Sequence, residues 1–264
     1  MGRTRKIKEK AVDLSCGVLA TSVDVVLFCF FQMFNSNKYG SGSIGMRRSQ
    51  QDTIEEILGL GIDGETVKKA IWNATHHKFI KKDKTSHLIE LTKEGKDRIN
   101  SLLPTYRKKR TWNGHFYLVI YDIEEKKRQE RNILRGYLGK LGCGLLQNSV
   151  WLTPYSPQKI LHDFIDEKKL SGAIIVSDIG KDGSIGEERI DELINKIYKL
   201  DELNLKYKEL ISLLESGSLS KIQAEFQYFS ILQKDPQLPF EILPFGWLGD
   251  KAYQLLNKKY PNLA

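Results

Sequence analysis

The stretch Trp112 to Pro154, WNGHFYLVIYDIEEKKRQERNILRGYLGKLGCGLLQNSVWLTP, decides how the chain reads. Phe116 to Ile120 is an apolar run ending at Tyr121-Asp122, the pattern of a strand. From about Glu124 to Leu141 the pattern turns amphipathic and basic, which predicts a helix. A Gly-Cys-Gly turn and a second strand reaching Thr153 follow. Strand, helix and strand in that order form one half of a ferredoxin-like split β-α-β unit. A short helix near Gln158 to Lys168 and a strand at Ala173 to Ser177 supply the matching half.

On the N-terminal side the charge changes. Residues 1–110 hold 21 of the 41 Lys+Arg and 12 of the 33 Asp+Glu, a net +9, whereas the remainder carries −1. The whole excess lies in one part, as expected when one module meets a polyanion. Residues 35–49, NSNKYGSGSIGMRRS, are Gly/Ser-rich and read as a loop carrying Lys38, Arg47 and Arg48. A short helix, Gln51 to Leu58, is ended by Gly59 and Gly61. Asp63 then caps a second helix, in which Val67, Ala70, Ile71 and Ala74 repeat at helical spacing and face a core. Its other face presents Thr66, Lys68, Lys69, Asn73 and His76. Trp72 on this helix either touches DNA or packs on a neighbouring helix or a dimer partner.

Two strand-like pieces, Lys78 to Lys81 and His87 to Leu91, flank the polar turn at 82–86, and Thr92 caps a last helix, Lys93 to Leu103. Helices, basic hairpin and helix predict a winged helix-turn-helix. In such a module the second helix of the turn motif enters the major groove while nearby cations take phosphates. The predicted DNA-binding residues are therefore Arg47, Arg48, Thr66, Lys68, Lys69, Asn73, Lys81, Lys82 and Lys84. The run Arg107 to Arg110 reads as a linker.

Leu14 to Phe34 imitates a signal peptide or a membrane span. Asp24 sits in its middle, at a cost of about 2.5–3.5 kcal/mol for insertion, so a buried helix is expected and no membrane. Cys16, Cys29 and Cys143 have no metal-ligand spacing and read as free thiols of a reducing, cytoplasmic setting.

Two resemblances follow from these residues. Phe116 to Asp122, Arg128, Arg131, Leu134, Arg135, Gly142 and Gln147 to Val150 look like the small CRISPR-associated endonuclease of the spacer-adaptation complex, over about a quarter of the chain. Over nearly all of it the chain is similar to the PaaX family of transcriptional repressors. Trp112 to His115, Ser149 to Pro154, and Asp235 to Pro244 followed by Trp247, Gly249 and Ala252 carry that likeness. Lys234 stands where the family often has arginine, and Leu248 where it often has proline.

The PaaX resemblance implies a homodimeric repressor bound to double-stranded DNA, with no enzymatic activity and no cofactor, released by an acyl-CoA-like effector. The endonuclease resemblance implies an alternative, in which Asp122 is both catalytic residue and metal ligand for Mg2+ in a nuclease. A third reading is a nucleic-acid-binding adaptor in CRISPR or phage defence. In the middle domain, Glu124 and Glu125 read as first-turn helix residues rather than as an acid cluster around Asp122. The expected fold class is α+β in three segments. Residues 1–106 form the winged helix-turn-helix, 107–185 a ferredoxin-like dimerisation domain, and 186–264 a helical domain. In the last, helices are expected at Glu187 to Leu200, Leu203 to Glu215, Leu219 to Gln233 and Asp250 to Lys259.

Overall fold

In the computed structural model, which describes residues 19, 21–35, 43–181 and 189–260, helices and two small sheets alternate along the chain. The N-terminal part comprises α1 (Ser22–Asn35), α2 (Ser43–Gly59), α3 (Gly64–His76), the hairpin strands β1 (Ile80–Lys82) and β2 (Ile89–Leu91), and α4 (Lys93–Leu102). The middle holds β3 (Phe116–Asp122), α5 (Arg128–Lys140), β4 (Gly144–Gln147), β5 (Val150–Thr153), α6 (Gln158–Lys168) and β6 (Ala173–Gly180). Then come α7 (Ile190–Tyr198), α8 (Leu200–Glu215), α9 (Lys221–Leu232) and α10 (Gly249–Lys259). Lys38, Cys16, most of the 180–186 loop and the start of the Glu187 helix lie outside the described residues.

Two compact units result, one of residues 1–106, 206–234 and 248–264, the other of 107–205 and 235–247. The C-terminal stretch, read as one helical segment, is shared between the units.

In the first unit α1 is buried on every side, from Asp24 through Met33. From Ser22 on, the run that imitates a membrane span is thus a core helix, and no helix among the described residues is long and apolar enough to cross a membrane. Asp24, 1 % exposed, accepts from Arg98 Nε at 2.7 Å and from the Thr21 hydroxyl at 2.7 Å. The charge that argues against a membrane is therefore an ion pair to α4, and the Arg98 guanidinium lies over the Phe79 ring. At the N-terminus of α4 the Thr92 hydroxyl accepts from the Gly95 N–H, and Gly95 is pressed against the Phe79 carbonyl.

The same unit takes in α9, which is buried around nearly its whole circumference and opens with a capping box between Ser220 and Gln223. Phe28 of α1 meets Phe226 and Phe229 of α9 edge-on, at centroid distances of 6.0 and 6.2 Å. On the same helix Glu225 is fully buried, and among the described residues neither of its carboxylate oxygens has a hydrogen bond of ordinary geometry. Lys221 Nζ stands 3.5 Å from its Oε1. Burial outweighs that cation and pushes the Glu225 carboxyl up to about 7.

In the second unit the sheet order is β4-β5-β3-β6, all antiparallel. A strand, a helix, a hairpin, a helix and a last strand beside the first make the ferredoxin-like arrangement expected. Val119, Tyr121 and Trp151 from the sheet pack with Leu134 and Leu138 of α5 and Leu161 of α6. Tyr137 stacks on Phe164 between the two helices.

Four details differ from the sequence reading. The single strand expected up to Thr153 is two, because Asn148-Ser149 makes a tight turn that returns the chain on itself. Arg47 and Arg48 belong to α2, not to a loop: beyond Gly45 the straight-chain residues favour helix, and Gln50 and Thr53 are buried on its inner side. The break expected between Leu200 and Leu203 falls at Lys199 instead, whose φ of 53° ends α7 at Tyr198 and lets α8 start at Leu200. Finally, Arg110 is buried rather than part of a solvated linker. Its guanidinium donates to the Arg107 and Leu238 carbonyls and lies 4.6 Å from the Phe240 ring centroid.

Candidate nucleic-acid interface

The turn between α2 and α3 is four residues, Leu60 to Asp63, and it hands α3 a ready-made cap. Asp63 Oδ1 accepts from the Thr66 N–H at 2.9 Å and Oδ2 from the Thr66 hydroxyl at 2.6 Å. These bonds hold the Asp63 carboxyl below its ordinary value. Thr66 is therefore committed to the cap. Val67, Ala70 and Ala74 turn inward, while Ile71 is half-buried. Opposite them, at 3.6-residue spacing, Glu65, Lys69, Trp72 and His76 form the outward stripe, with Lys68 beside it.

The charges on this stripe are unequal in availability. Lys68 Nζ bonds Glu65 at 2.9 Å. Lys69 is exposed and has no ion pair among the described residues. Asn73, half-buried, lies toward the flank. On the hairpin Lys81 pairs with Glu90 at 2.7 Å, while Lys82 and Lys84 are exposed with no ion pair among the described residues. The hairpin tip is held by Asp83, whose Oδ1 accepts from the backbone N–H and hydroxyl groups of both Thr85 and Ser86. Those four bonds keep its carboxyl far below the usual range.

Two residues of α2 fasten the hairpin. The Arg47 guanidinium donates to the Ser86 carbonyl at 3.2 Å, so one of the predicted phosphate ligands already serves the hairpin. The buried Gln50 amide donates to the Ile89 carbonyl at 2.7 Å and accepts from the Ile89 N–H at 3.0 Å, occupying the free edge of β2 as another strand would. Sequence reading missed Gln50, because its partner lies 39 residues away. Arg48 is exposed on α2.

Trp72 is the other feature that patterning leaves open. It is 66 % exposed; its ring lies parallel to His76, 5.4 Å away and tilted by 7°. His76 meets His77 edge-on, and His77 stacks on Phe79, under the Arg98 guanidinium.

Asp122, the metal-ligand candidate, is exposed at the end of β3, opposite Ala173 of β6. It shows no bond to Arg128 or Arg131 among the described residues. No group of three or more His, Cys, Asp and Glu that could hold a metal occurs among those residues. One exposed carboxylate does not fit a magnesium site within the chain.

The β4-β5-β3-β6 order, with helical segments before and after it, defines the class: an α+β protein built on a ferredoxin-like domain. Residues 109–189 match the family model of the PaaX protein central Cas2-like domain, and residues 198–264 that of the PaaX-like protein C-terminal domain. The two cover more than half of the sequence, and the chain belongs to the PaaX family. No curated protein matches it. Among solved structures it is similar to the uncharacterized protein Rv0674 from Mycobacterium tuberculosis, with 15% identity and a TM-score of 0.54 over 90% of this chain and 93% of that one. At that identity the likeness is one of fold.

Proposed function

We propose that the protein is a cytoplasmic, sequence-specific transcriptional repressor in which α1–α4 and the β1–β2 hairpin act as a winged helix-turn-helix. In this reading α3 enters the major groove and the hairpin lies along the backbone. PaaX is a family of regulators. The observation that carries the reading is the outward stripe of α3, whose Lys69 has no ion pair among the described residues, beside a hairpin carrying Lys82 and Lys84, in the part of the chain that holds all of the positive excess.

The ferredoxin-like domain supplies a dimer. Val150, Ile120 and Ile175 face one another across β5, β3 and β6, on the side of the sheet away from α5 and α6. Ile120 and Ile175 are 36 % and 56 % exposed, which leaves an apolar row for a second copy to cover. Two-fold pairing would set two DNA readers at fixed spacing. Release by an acyl-CoA-like effector is carried over from the family. No observation favours the nuclease or adaptor readings over this one.

The test is binding to a duplex from the protein's own upstream region against a scrambled duplex, across a salt series. Selective binding is expected. In Lys69→Ala/Lys82→Ala/Lys84→Ala the slope of log K against log salt becomes shallower by about 2–3, roughly 0.9 per lost phosphate contact. Lys68→Ala/Lys81→Ala, whose ammonium groups are already paired, changes the slope less. Equal affinity for the two duplexes in the wild type would overturn the proposal.

A further inference from the structure

We propose that Trp72, braced by His76, is the residue through which α3 discriminates sequence, and that it takes the C5-methyl group of a thymine in the major groove. The inference rests on the reading that α3 faces duplex DNA. The polar residues first expected to read bases are largely occupied: Thr66 is held by Asp63, Lys68 by Glu65, and Asn73 is half-buried on the flank. What α3 projects along the centre of its outward face is an indole, two-thirds exposed, with a parallel imidazole one turn behind it.

The stack is pre-organised. An exposed tryptophan normally samples several rotamers, and ordering it on binding costs affinity; here His76 already holds the ring flat. An indole offers a broad apolar face and one N–H donor and no acceptor. The thymine methyl is the apolar group that the major groove presents to such a face. Flanking charge selects nucleic acid over protein as the occupant: Lys69 lies one turn from Trp72 on the same stripe, and Lys82 and Lys84 extend the positive surface on the hairpin.

A duplex consensus enriched by the wild-type protein from a randomised pool is resynthesised with each thymine in turn replaced by deoxyuridine, which removes the methyl and keeps the pairing. Wild type is expected to lose affinity about tenfold at one position, the scale of a single base-pair discrimination. Trp72→Ala should bind the intact consensus about tenfold more weakly and show no further loss with deoxyuridine. Trp72→Phe, which keeps an apolar face, should retain part of both. The side chain is exposed, so these variants fold, and their melting temperatures should match the wild type.

If Trp72→Ala enriches the same consensus with the same deoxyuridine penalties, the assignment is overturned while the DNA-reading role of α3 stands. A change in oligomer mass with an unaltered deoxyuridine response also overturns it, in favour of a protein contact. If wild type enriches no consensus at all, the proposed function fails first, and this inference falls with it.

Discussion

Glu225→Gln should stabilise the protein at pH 8 by about 2–3 kcal/mol and leave its stability at pH 5 nearly unchanged. In the folded state the carboxyl titrates near 7, well above the ordinary glutamate value, because it is enclosed by α9's apolar surroundings. The folded protein therefore holds this proton more tightly than the unfolded chain does. The contribution is fully present below about pH 4.5 and is lost as pH rises through 7. Raising a carboxyl from its ordinary value of 4.5 to about 7 corresponds to about 3 kcal/mol, with the nearby Lys221 already opposing the effect of burial. Denaturant titrations of both proteins from pH 5 to pH 8 measure this directly. A wild-type stability that is flat over that range would contradict the burial argument.

Gly95→Ala should cost about 3 kcal/mol, a large effect for one methyl group. The added carbon would meet the Phe79 carbonyl oxygen well inside van der Waals contact, and Leu91 closes the other side. That carbonyl cannot swing away freely, because it already accepts from the Thr92 N–H and hydroxyl. The strain falls where the hairpin joins α4, so the variant should also loosen the hairpin and weaken DNA binding. A thermal melt compared with Gly136→Ala, where an added methyl meets nothing within reach, isolates the packing term. Equal melting temperatures for the two variants would refute it.

How much of this was legible in the sequence depended on the distance over which each feature is determined. The ferredoxin-like order could be read because apolar runs and one amphipathic helix follow each other locally. The Asp63 cap of α3 and the Thr92 cap of α4 could be read for the same reason: donor and acceptor lie three residues apart. Asp24 was legible only as an obstacle to membrane insertion, since its partner Arg98 is 74 residues away. Arg47 reads from sequence as a loop cation for DNA, and nothing local marks Gln50; both are tied to the hairpin by partners 39 residues away. The helix expected at Leu219 to Gln233 is legible as a helix, whereas burial of α9 on nearly all sides, Glu225 included, is a property of the packed unit. Arg110 looked like one more charge in a basic run, and only the folded 235–247 segment covers it.

In the proposed reading α3 and the hairpin form the DNA-contacting surface. Backbone hydrogen exchange of the full chain with and without a bound upstream duplex tests it most directly. Slowed exchange is expected across residues 64–76 and 80–91 on binding, with the β3–β6 sheet around Asp122 unaffected by DNA. Protection confined to the ferredoxin-like sheet, with α3 and the hairpin exchanging as in the free protein, would contradict it.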